Sequence, residues 1–367
     1  MTRRERFKAI MNHKEVDTPL LDLCGCPLSG MSAETENKLC GLLGISGEPA
    51  DRREALLQYL DIDTRGVGDI LTPKQSIARR LSDTANIDAW GVERRFTGLY
   101  WDIVNAPLRD LSVEDLDKYP WPDPRTIDPD QIDAYARHAK YLHEETDYVV
   151  CASHPVLGVF ELGCWMCGFD EFMIRMAIDP DFVIRFFEII LDYQRTVIDL
   201  YYPKLAPYID YTSSGDDFAT QQSTFVSPDM FNEFIAPFFS ERIRHTKRIT
   251  DAAYLHHSCG NVSSIIPDLV RCGVEILNPI QPTGADMAPK TLKEKYGDTI
   301  TFHGGLDTQA VLPGGTEETV RRAVHALLSE MMPGGGYIFA AAHNLQDDVP
   351  PENIAAMFKA AREYTAK

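Results

Sequence analysis

With 367 residues and 44% hydrophobic content, the chain can bury a large core in one or two domains. Its formal charge of −19 repels phosphate backbones and anionic lipid, so nucleic acid and membrane surfaces are excluded as expected partners and a strongly anionic substrate is disfavoured. No run approaches the ~20 apolar residues of a membrane span, the first residues lead into an amphipathic segment and not a signal core, and eight irregularly spaced cysteines read as reduced thiols. The expected compartment is the cytoplasm.

In chain order, short β-type runs alternate with helical patterns, with no internal repeat. Candidate strands cover 19–24, 62–67, 148–153, 209–213, 252–257, 274–279, 299–303 and 336–341. Between the second and third, residues 90–96 and 100–104, split by Thr97-Gly98-Leu99, read as a hairpin. Pro120-Trp121-Pro122-Asp123-Pro124 then forms a rigid return. Asp179-Pro180 supplies an N-cap and N1 proline for a helix through about residue 202, with Phe182, Phe186, Ile190, Tyr193, Val197 and Tyr201 at helical spacing. Ser227-Pro228 opens another helix through about residue 247, Thr316 caps a third, and Pro351-Glu352 opens the last.

Eight strands in β-α alternation indicate an α/β fold, a (β/α)8 TIM barrel, for which roughly 250 residues is usual. The surplus falls mostly between strands two and three, so residues of about 68–125 form a hairpin-containing insertion or lid within a single domain spanning 1–367. A doubly wound sheet would need a phosphate-binding glycine turn after an early strand, and none is visible.

Barrel enzymes carry their chemistry at the C-terminal strand ends. Here those ends present Glu161, Asp216 and Asp217, then His257 and Cys259, then Asn278 and Gln281, then His303 and Asp307, and finally His343 and Asn344. Zinc takes His nitrogen and Cys sulfur, and catalytic zinc keeps three protein ligands and one open position. His257, Cys259 and His343 supply that count, since the fifth and eighth strands face each other across a barrel mouth. The alternative is core packing, with Cys259 as a small apolar side chain and the histidines hydrogen-bonded. His256 points away from His257 if the strand continues. Cys164-Trp165-Met166-Cys167 reads as helix packing in preference to redox chemistry. Gly304-Gly305 and Gly334-Gly335-Gly336 lack the spacing and the lysine of a phosphate loop.

Several segments recur together: Arg4-Glu5-Arg6-Phe7, Asp17-Thr18-Pro19, Ala89-Trp90-Gly91-Val92, Trp121-Pro122-Asp123-Pro124, Gly215-Asp216-Asp217-Phe218, Ser227-Pro228, His257-Ser258-Cys259-Gly260, Asn278-Pro279, Gly304-Gly305-Leu306-Asp307 and Pro350-Pro351-Glu352-Asn353. In this order they resemble the uroporphyrinogen decarboxylase superfamily over nearly the full length, which implies the same barrel and makes a homodimer plausible. The decarboxylases of that superfamily have an early arginine-rich loop that grips substrate carboxylates. The corresponding loop here is Asp22-Leu23-Cys24-Gly25-Cys26-Pro27, with no arginine between Arg6 and Arg52.

The superfamily's other branch, zinc-dependent methyltransferases that work with corrinoid proteins, is marked by His-x-Cys and a distant third ligand, usually Cys. His257 and Cys259 match the first part, and the third position falls on His343. One thiolate fewer leaves the bound ion more positive and a stronger Lewis acid. The resemblance therefore implies transfer of a methyl group between a small O- or N-methyl donor and a corrinoid supplied by a partner protein. In that scheme Asp217 or Glu161 orients the donor or relays a proton, while Asp216, Asn278, Gln281, His303, Asp307 and Asn344 line the substrate site. A tetrapyrrole decarboxylase and a non-catalytic tetrapyrrole- or corrinoid-binding protein are the alternative readings.

Overall fold

The computed structural model describes residues 1–98, 101–284 and 286–365. Its strands are β1 (Thr64–Val67), β2 (Arg79–Ser82), β3 (Ala85–Ile87), β4 (Glu93–Phe96), β5 (Trp101–Asn105), β6 (Val149–Ser153), β7 (Tyr211–Gly215), β8 (Ala253–His257), β9 (Ile276–Ile280), β10 (Thr301–Gly304) and β11 (Tyr337–Ile338). Seven of them form one parallel sheet in the order β1-β6-β7-β8-β9-β10-β11, the topology that β-α alternation demands. β6, β8, β9 and β10 are buried at every residue, as parallel strands covered on both faces are.

The first expected strand differs. Residues 19–24 form only an isolated parallel bridge, Leu21 to Phe339. The Asp22 N–H donates to the Phe339 carbonyl at 2.9 Å, the Phe339 N–H to the Leu20 carbonyl at 2.9 Å, and the Asp63 N–H to the Leu21 carbonyl at 3.0 Å. This short stretch thus touches the β1 and β11 edges of the sheet at once. A left-handed turn at Cys24, φ 56°, ends the extended run, so the register cannot propagate into a longer ladder.

β2 to β5 form a separate antiparallel sheet. The expected hairpin corresponds to β4 and β5, with Phe96 opposite Trp101; its turn residues Leu99 and Tyr100 lie outside the described residues. Arg79–Ser82 and Ala85–Ile87 add two strands that the sequence reading left unassigned, because Arg79-Arg80 and Ser82-Asp83 interrupt apolar alternation there and Arg79–Ser82 is exposed throughout. The sheet is anchored by aromatic packing on the helix Pro180–Leu205: Trp90 meets Tyr193 with ring centroids 4.7 Å apart, and Trp121 meets Phe186 at 6.1 Å. The Arg94 guanidinium lies 4.6 Å from the Trp165 ring centre, which brings β4 against the helix Val159–Cys167 that carries Glu161.

The remaining helices follow their sequence signals. Pro180 starts its helix, and Phe182, Phe186, Ile190, Tyr193, Val197 and Tyr201 are all buried. Ser227 caps the next, which passes through a π-helical segment at Phe231–Ile235 before Ala236–Lys247. Thr316 accepts from the Thr319 N–H at 3.2 Å to cap Glu317–Met331. Cys164 and Cys167 are buried and unpaired in their helix.

Candidate metal centre

The turn after β8 is held on all sides. The Ser258 N–H donates to the Asn278 carbonyl at 2.9 Å, and its hydroxyl accepts from the Phe218 N–H at 2.9 Å. The Cys259 N–H donates to Asp217 Oδ1 at 2.7 Å, and the Gly260 N–H to Gln281 Oε1 at 2.8 Å. Gly260 has φ 87°, and a Cβ there would stand 2.3 Å from the Thr220 carbonyl oxygen, so the turn needs glycine.

This geometry aims His257 Nε2 at Cys259 Sγ, 3.1 Å away. His343, on the loop after β11, completes a cluster in which one donor atom from each of His257, Cys259 and His343 lies within 4.8 Å of the others. Tetrahedral zinc, with bonds of about 2.0–2.3 Å, separates its ligands by roughly 3.5 Å, so a side-chain adjustment of about an ångström would close the three around one ion. His256, the neighbour in β8, points the other way: its Nδ1 meets Ser214 Oγ at 3.0 Å and its ring stacks on Phe218.

The electrostatics suit a cation. Burial pushes the Cys259 thiol well above its ordinary pKa, and the nearby charges of Asp217 and Glu161 push it further. Burial lowers the His257 pKa, favouring a neutral imidazole with a free lone pair. Asp217 Oδ1 lies 3.7 Å from His257 Nε2. A divalent ion would supply the positive charge this corner lacks and would hold the sulfur as thiolate.

Glu161 sits in the first turn of Val159–Cys167. Burial, then Asp217 and Asp216, push its pKa up to about 8, against the moderating charge of Arg94 from β4. Asp216 turns the other way, accepting the Phe160 and Glu161 N–H groups at 3.1 and 2.8 Å and so capping that helix. Burial raises Asp216 to about 6 even though Arg242 draws it down.

A cavity of about 350 Å3 opens beside Cys259 and His343. Gln281, Asp307 and Asn344 line it, whereas Glu161, Asp216, Asp217, His257, Asn278 and His303 are not among its lining residues. The described lining residues include no lysine or arginine; they are mainly amides, threonines and two carboxylates. Asp307 accepts the Gln309 N–H at 2.7 Å, shaping the loop. Asn344 accepts from the Gly30 N–H at 2.6 Å and donates to the Pro27 carbonyl at 3.0 Å.

Asn278 and His303 are wholly buried and face each other. Asn278 Oδ1 meets His257 Nδ1 at 2.5 Å, Asn278 Nδ2 meets His303 Nδ1 at 2.6 Å, and His303 Nε2 meets Asp22 Oδ2 at 2.7 Å. Asp22 also accepts from the Thr64 hydroxyl and, at 3.0 Å, from the Gly25 N–H. Burial works against the Asp22 carboxylate, yet bonds from His303 and Thr64 leave its pKa below the ordinary value. Sequence reasoning gave Asp22 no role; its signal was a lone carboxylate inside Leu20-Leu21-Asp22-Leu23.

Comparison with known proteins adds four findings. A uroporphyrinogen decarboxylase from Legionella pneumophila is 28% identical over 125 residues, 31% of this chain and 35% of the relative, so the chain matches about a third of that relative's length. A methylcobamide:CoM methyltransferase from Methanosarcina barkeri is 29% identical over 142 residues, 38% of each chain. The solved structure of a methyltransferase from Methanosarcina mazei superposes over 99% of both chains with a TM-score of 0.64 and 18% identity, so the two share a fold. The family model described as uroporphyrinogen decarboxylase matches residues 88–364, and the chain belongs to that family.

Proposed function

We propose that this protein is a zinc-dependent methyltransferase that moves a methyl group between a small O- or N-methyl donor and a corrinoid carried by a partner protein. The observation that carries the reading is the convergence of His257, Cys259 and His343, with Cys259 and His343 on the wall of a solvent-reached cavity and His257 buried behind them. Similarity to the two Methanosarcina methyltransferases supports it. In this reading the barrel has eight positions, with the Leu21 stretch standing in the eighth, within a single domain that includes the insertion.

When bound, zinc supplies positive charge to the heteroatom that the methyl group leaves. The chain's own residues do the rest. Cys259 and the two imidazoles hold the ion at the cavity edge. Glu161, with its raised pKa, carries a proton at neutral pH and can deliver it to the departing oxygen or nitrogen. Asp217 steadies the ligand turn through the Cys259 N–H, with its Oδ1 3.7 Å from His257 Nε2. Gln281, Asp307 and Asn344 bound the donor site.

The family's decarboxylase members give a second reading. The cavity is unsuited to it: with no lysine or arginine among its described lining residues, it offers no permanent cation to pair with a polycarboxylate.

The test is methylation of cob(I)alamin, followed by absorbance, by zinc-loaded and chelator-stripped protein with methanol, methoxylated aromatics and methylamines as donors. Zinc-dependent turnover with one donor class is expected. Zinc at one ion per chain without transfer from any donor would reject the reaction while leaving the metal site.

A further inference from the structure

We infer that Asp22, His303 and Asn278 form a one-way hydrogen-bond chain that fixes the tautomer of His257, making them positioning residues for the metal centre. The inference rests on the metal reading of the site. All four side chains are buried, at 1%, 0%, 0% and 7% exposure, so no solvent competes for their bonds.

The direction follows from the carboxylate. Asp22 can only accept, so the His303 nitrogen it meets at 2.7 Å, Nε2, carries the proton. A neutral His303 then has its lone pair on Nδ1, which must receive a donor. The Asn278 amide nitrogen, 2.6 Å away, provides it. That turns the Asn278 carbonyl oxygen toward His257 Nδ1 at 2.5 Å, and an oxygen there demands a proton on Nδ1. His257 Nε2 is left with its lone pair, aimed at Cys259 Sγ. With His303 neutral, the opposite orientation of Asn278 would put a proton on Nε2 of His257, where it would block the ion, and would set a bare nitrogen of His303 against the carboxylate of Asp22.

The same segment also steadies the other imidazole. Asn344, next to His343, is clamped between Pro27 and Gly30, while Asp22 anchors the start of that loop through Gly25 and Thr64. Residues 22–30 thus brace both histidine ligands from the far end of the sequence, as outer partners of metal-bound histidines do.

Two measurements test this. In metal-free wild-type protein with 15N-labelled histidine, long-range proton–nitrogen correlation is expected to find His303 protonated on Nε2 and His257 on Nδ1. A proton on Nε2 of His257 overturns the chain. In zinc competition against a chromophoric chelator, Asp22→Leu and Asn278→Leu are expected to bind zinc about 10–100-fold more weakly than wild type, with a changed cobalt(II) d–d spectrum showing that the site geometry has loosened. Wild-type affinity and an unaltered cobalt spectrum in both variants also overturn it. Wild-type protein that binds no zinc removes the metal reading, and the tautomer result then still decides the hydrogen-bond chain by itself.

Discussion

Asp217 holds the backbone of Cys259 at 2.7 Å while its charge helps keep the neighbouring thiol protonated. One carboxylate thus orders the turn and, added to burial, helps make the sulfur of the metal-free protein a poor nucleophile. Asp217→Asn keeps an oxygen for the Cys259 N–H and removes the charge. Removing this like charge relieves part of the upward push on the thiol, so the thiolate fraction in metal-free protein rises. Iodoacetamide labelling of Cys259, followed by mass spectrometry across alkaline pH, is expected to show the acceleration; an unchanged rate would mean that burial alone sets the thiol.

Glu161 makes stability depend on pH. Its folded pKa, about 8, lies above the unfolded carboxyl value near ~4.3, so the native state binds the extra proton. Stability of the metal-free protein is therefore fullest below the unfolded value and declines as pH rises toward about 8. Glu161→Gln removes that decline. Thermal melts of both proteins at about pH 5 and pH 8 are expected to converge at the acid end, with the variant more stable at the alkaline end.

Gly158 packs directly against Asp216. A Cβ there would stand 2.2 Å from the Asp216 Cγ. Gly158→Ala must therefore displace the carboxylate that caps the Glu161 helix, although its own φ of −67° suits alanine. Overpacking of this kind costs about 1–3 kcal/mol. Denaturant unfolding measures the loss, and the displaced cap is also expected to lower the proposed methyl transfer.

His343 is the exposed ligand of the proposed three and the easiest to exchange. Removing a direct ligand with His343→Ala is expected to weaken zinc by more than the roughly 10–100-fold typical of an outer partner. His343→Cys adds a thiolate and lowers the net charge of the bound site by about one. It is expected to retain zinc, lose rate with oxygen and nitrogen donors, and gain thiol methylation. Zinc quantitation beside donor assays separates these outcomes; full zinc content in His343→Ala would strike the residue from the ligand set.

The sequence carried the strand-to-strand plan because buried parallel strands leave long apolar runs, and the His257-Ser258-Cys259-Gly260 turn stood out as polar at the end of one. The first expected strand shrank to a bridge at Leu21 because the positive φ of Cys24 is invisible in residue type. Asn278 and His303 looked open to substrate since both lie at strand ends. Whether such a residue meets solvent depends on what fills the space above it, and here Asp22, 281 positions from His303, fills it. That distance is also why Asp22 drew no attention: local patterning shows a carboxylate among leucines but not its partner.

The clamp of Asn344 by Pro27 and Gly30 spans 314 positions between Gly30 and Asn344. A ribosome releases the bracing loop long before His343, so a growing polypeptide carries the brace before the proposed ligand that it braces. Loading of the proposed site would in this sense certify completed folding. A fragment starting after residue 30 would keep every proposed ligand, yet it would hold the ion loosely.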